Sequence, residues 1–80
     1  MSKEYYKRRI SDLRASISRE KEAKKHDNET YAGYIRRATS ASTKASYRKS
    51  KIDAAARHER QIEYLKQQVE SAKASLKRCK

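Results

Sequence analysis

The sequence predicts an all-α fold, two long helices folded back on each other as an antiparallel coiled-coil hairpin, and three features point there. Apolar residues recur at steps of three and four in both halves of the chain, the spacing of a helical stripe and not the alternation of a strand. The 80 residues contain no proline and one glycine, and Ala, Lys, Arg and Glu, all good helix formers, are abundant. A single cluster of cap- and turn-favouring residues, Thr39 to Thr43, lies between the two stripes.

The first helix is predicted over about residues 3–39. Its stripe runs through Tyr6, Ile10, Leu13 and Ile17, continues in phase through Lys24, and ends with Tyr31, Ile35 and Ala38. The turn is placed at about 40–43, with Ser40 or Ser42 as the cap of the second helix. That helix is predicted over about 44–79, with Ala45, Ile52, Ala55, Ile62, Leu65, Val69, Ala72, Leu76 and Cys79 on its stripe. One continuous helix in a longer coiled coil differs from this reading only at the Ser/Thr cluster. The stripes favour the hairpin, because facing residues of an antiparallel pair have numbers with a constant sum. A sum of 82 or 83 sets Tyr6 against Leu76, Ile10 against Ala72, Leu13 against Val69, Ile17 against Leu65 and Tyr31 against Ile52. The same sum sets Lys24 against His58, a polar layer in an apolar seam that is expected to fix register at some cost in stability. A histidine beside a lysine is expected to have its charged form disfavoured. The lone Gly33, beside Ala32, is expected to permit close helix approach or to loosen the first helix.

Composition limits what such a hairpin can be. At 80 residues it is a single domain spanning 1–80, with a narrow seam in place of a large core. Two helices alone are marginal in stability, so self-association into a helical bundle, as a homodimer, or docking on a larger partner protein is expected. Tyr5, Tyr34, Tyr47 and Tyr64 fall beside the seam and would widen it towards another helix. No apolar run approaches the roughly 20 residues of a membrane span, and the first residues lack the apolar stretch of a signal peptide. A soluble, cytoplasmic protein is therefore expected. With one cysteine, Cys79, no intrachain disulfide can form.

The net charge of +12 implies acidic partners. By segment it is +3 over residues 1–10, 0 over 11–29, +6 over 30–52, −1 over 53–70 and +4 over 71–80. Between Thr30 and Ile52 there is no acidic residue, and the hairpin turn brings Arg36, Arg37, Lys44, Tyr47, Arg48, Lys49 and Lys51 to one tip. Lys44, Arg48 and Lys49 fall in the first turns of the second helix, where the dipole disfavours positive charge. Cations there, beside amide donors and hydroxyls, suit carboxylate or phosphate binding.

No catalytic constellation is present in the sequence. His26–Asp27 and His58–Glu59 are chain neighbours, which point apart on a helix. A two-helix rod offers no concavity to exclude water, and no phosphate-binding glycine loop occurs. The expectation is a non-enzymatic adaptor without metal, cofactor or small-molecule substrate, whose basic tip docks on an acidic surface. The alternative is a nucleic-acid binder that uses its basic ends on phosphates and its tip tyrosines on unpaired bases.

Overall fold

The computed structural model describes residues 2–79 and contains two α-helices joined by a short link. Helix α1 spans Lys3–Arg37 and α2 spans Ala41–Arg78. They pack side by side along a rod 62 Å long and 14 by 11 Å across. The 38 residues of α2 alone account for about 57 Å of it at about 1.5 Å per residue. Among the described residues there is no strand, and no helix is long and apolar enough to cross a membrane.

Each helix starts on a serine. The Ser2 hydroxyl accepts the Tyr5 N–H at 3.3 Å, and the Ser40 hydroxyl accepts the Thr43 N–H at 3.1 Å while donating to Thr43 Oγ1 at 2.7 Å. Because Ser40 takes the cap, Ala41, Ser42 and Thr43 are already helical. The link is therefore residues 38–40, shorter and earlier than the expected turn at 40–43, and α1 ends at Arg37, not at 39. Removing the cap in Ser40→Ala is expected to cost about 1 kcal/mol. That should lower the melting temperature by about 4–8 °C for a chain of this size, read by circular dichroism.

The core is thin and concentrated at the open end of the rod. Ile10, Val69 and Ala72 form one buried cluster, flanked by the half-buried Leu13, Ile17 and Leu76. Ile62 is buried further along α2, while Tyr6, Tyr31 and Leu65 are half-buried. Towards the tip the seam departs from the expected stripe. Ala54 is the residue taken inside, at 1% exposure, whereas Ile52 is 68% exposed and Ala45 is exposed as well. A helix turns about 100° per residue, so Ile52 and Ala54, ten and eight residues before Ile62, lie about 80° from it on opposite sides of α2, and the seam follows the Ala54 side. Lys51 and His58 lie within about 40° of Ile62 and are half-buried. Ile52 thus belongs to the outer face, not to the helix seam.

Gly33 is buried, but it does not serve helix contact. A β-carbon there would meet Arg37 Nη1 at 3.3 Å and Arg36 Nη2 at 3.8 Å. The glycine leaves room for a guanidinium of its own helix to fold back over the backbone.

Candidate functional site

The tip is built from the last two turns of α1 and the first three of α2. Arg36 and Arg37 occupy the last turn of α1, where the dipole favours them. The first turn of α2 contains no acidic residue. Since α2 begins at Ala41, Lys44 lies at the edge of the dipole's reach and Arg48 and Lys49 lie beyond it. The expected conflict with the dipole is therefore confined to Lys44. One of the amide donors at the start of α2 is also occupied, because Ser40 takes the Thr43 N–H.

What distinguishes the tip is a stretch of chain without an acidic residue, from Thr30 to Ile52. Arg36, Arg37, Lys44, Arg48, Lys49 and Lys51 form no ion pair among the described residues. The opposite end of the rod is as basic by count and contains acids, so that Lys7 meets Glu4 at 3.6 Å and Lys73 meets Glu70 at 3.3 Å, while Lys3, Arg8, Arg9, Lys77 and Arg78 form no ion pair among the described residues.

Three tyrosines hold the tip together. Tyr34 of α1 and Tyr47 of α2 have ring centroids 5.2 Å apart across the helix pair, and Tyr31 meets the Tyr34 ring edge-on at 5.9 Å. The Arg37 guanidinium lies 5.6 Å from the Tyr34 centroid, a cation–π distance. Tyr34, Arg37 and Tyr47 line a small cleft together with Ala38, Thr39 and Thr43. On another side of the tip, Asn28, Ile35, Arg48, Lys51, Ile52 and Ala55 line a groove between the helices.

The polar layer is richer than the expected Lys24–His58 pair. Lys24 Nζ donates to Glu59 Oε1 at 2.7 Å, and their numbers sum to 83, the constant of the register. His58 lies between two carboxylates of α1, with Nδ1 2.6 Å from Glu20 Oε1 and Nε2 2.6 Å from Asp27 Oδ2. The His58 side chain is 17% exposed. Hydrogen bonds to Asp27 and then Glu20 raise its pKa above the ordinary histidine value, against the opposing effect of burial. The expectation that Lys24 would disfavour the charged imidazole is thus reversed, because Lys24 turns to Glu59 and leaves the ring to the acids. The Lys24 ammonium in turn holds the Glu59 carboxyl below its usual range. Sequence reasoning missed Glu20 and the pairing of Asp27 with His58. The available signal was their position four residues before and three after Lys24, which puts them on the same helix face.

Glu20 and Asp27 approach opposite nitrogens of one ring, so they do not converge on a common point for a cation. No group of three His, Cys, Asp or Glu among the described residues is arranged to hold a metal ion. No protein-family model, curated protein or solved structure matches this chain.

Proposed function

We propose that this chain is a small non-enzymatic adaptor, a coiled-coil hairpin that docks its basic tip on an acidic surface of a partner protein. The observation that carries this reading is that the link between the helices folds six cations and no acidic residue, from Thr30 to Ile52, into one end of the rod. A partner's carboxylates would supply the missing counter-charges, with charge-assisted hydrogen bonds of particular strength to the arginines. Self-association fits the same molecule, because the charge-balanced arms offer a second copy a surface without like-charge repulsion, and Tyr64 is exposed there. A mass of twice the 9.4 kDa of the chain is expected by light scattering, and a clean 9.4 kDa particle would remove the self-association component.

The exposed Tyr34 amid unpaired cations is what favours the alternative, binding of single-stranded nucleic acid. Base stacking needs an open aromatic face. The Tyr34 ring is already packed by Tyr31, Tyr47 and Arg37, which supports the protein-docking reading.

Fluorescence anisotropy separates the two at about 0.15 M salt, where exposed charges are screened beyond about 8 Å. A labelled poly-glutamate peptide is expected to bind, and Arg48→Glu/Lys49→Glu to weaken it by about tenfold or more. A labelled single-stranded oligonucleotide that binds more tightly than the peptide, and loses about tenfold or more in Tyr34→Ala/Tyr47→Ala, would establish the nucleic-acid reading instead.

A further inference from the structure

Ile52 is the most exposed large apolar side chain among the described residues. A lone exposed isoleucine on a protein surface needs no explanation. Here, however, it lines one groove with Ile35 from the other helix and Ala55 one turn further along α2. The remaining lining residues are Asn28, Arg48 and Lys51, so the groove has an apolar floor, two cations and no acid. Neither Arg48 nor Lys51 has a hydrogen-bond or ion-pair partner among the described residues. The nearest acids in sequence, Asp27, Glu29 and Asp53, adjoin Asn28 and Ile52 and do not line the groove, and Asp27 is engaged with His58.

We infer that this groove takes an acidic amphipathic α-helix from a partner protein; the inference rests on the tip being a protein-docking end and names what docks there. The groove runs between two antiparallel helices for about two turns of each, from Asn28 to Ile35 and from Arg48 to Ala55. Such a furrow accepts a third helix whose apolar residues at i, i+3 and i+4 fall on Ile35, Ile52 and Ala55. Glutamates or aspartates flanking that stripe then reach Arg48 and Lys51. An extended peptide lacks the corresponding support, because a helix pair with its backbone bonded internally offers no sheet edge to pair with. A second copy of this chain is disfavoured at the groove, since it would bring its own acid-free segment of Thr30 to Ile52 against Arg48 and Lys51.

The test uses three synthetic peptides of about 18 residues, or five helical turns. One has a leucine stripe flanked by glutamates, one has the same composition with the leucines scattered around the helix, and one has the leucines replaced by serine. Calorimetric titration of the full chain is expected to show the striped peptide binding about tenfold or more tighter than either control. Ile52→Asp, which keeps its fold because the side chain is exposed, and Arg48→Glu/Lys51→Glu are each expected to lose about tenfold or more of that affinity. Equal binding of all three peptides, indifferent to Ile52→Asp, overturns the groove while leaving a charge-driven tip intact. Failure of every acidic peptide to bind overturns both. A dimer that Ile52→Asp dissociates, or vesicles of anionic lipid whose binding Ile52→Asp abolishes, would assign the groove to a second copy or to a membrane and overturn the inference.

Discussion

Val69→Asp is expected to unfold the hairpin at 25 °C, seen as loss of most of the helical signal in far-ultraviolet circular dichroism, whereas Ile52→Asp leaves that signal unchanged. The two substitutions are chemically similar and their settings are opposite. Val69 is 6% exposed in the cluster with Ile10 and Ala72, while Ile52 projects outward at 68%. A carboxylate forced into the Val69 position finds no cation in that cluster. An unpaired charge in such a place costs several kcal/mol, which exceeds the roughly 3–5 kcal/mol that so small a core supplies. A folded Val69→Asp protein would mean that the seam at the open end is not where the stability lies.

The second large effect is a dependence of stability on pH set by His58. The ring faces Glu20 and Asp27 from α1, with Lys24 between them on the same helix but engaged with Glu59. Because the folded pKa of His58 is raised, its contribution is fully present below the unfolded value near 6.5 and is lost as pH rises through the folded value. The melting temperature is therefore expected to be higher at pH 6 than at pH 9. His58→Gln is expected to flatten the profile between pH 6 and 9 and to cost about 1–3 kcal/mol at pH 6, the worth of hydrogen bonds to charged groups. The Asp27 side chain is 38% exposed, so screening puts its share at the lower end. A melting temperature that rises from pH 6 to pH 9 would show the opposite coupling, in which the neutral ring is the favoured form.

The parts of this structure that were legible in the sequence follow from periodicity. Two stripes with no proline between them demand two helices or one, and Ser40 within a Ser/Thr cluster supplies the break. The numerical register follows from the same stripes, and Lys24–Glu59 lies on it. What was not legible is local choice within that register. A long lysine can turn to either side of its facing residue, and only the packed helices decide that Lys24 meets Glu59 while His58 bridges two acids. Ile52 was misplaced for a different reason: a stripe extended by sevens towards the tip loses phase on helices of 3.6 residues per turn, and Ala54 moves into the seam instead. The space beside Gly33 is filled by an arginine of the same helix, Arg37, a contact for which spacing gives no sign. The cations of the tip were visible as a charge run. That no acid from elsewhere in the chain folds back to pair with them depends on which side chains the fold brings within reach.

Both ends of the rod are basic, so the location of binding is the decisive observable for a tip-docking adaptor. Backbone amide chemical shifts of nitrogen-15-labelled protein, followed while the poly-glutamate peptide is added at about 0.15 M salt, measure it residue by residue. Shift changes concentrated between Tyr31 and Ile52, and absent over Lys3–Ile10 and Ser71–Cys79, are the expected result. Changes as large at the open end as at the tip would show that net charge alone attracts the peptide, and would contradict docking through the counter-ion-free tip.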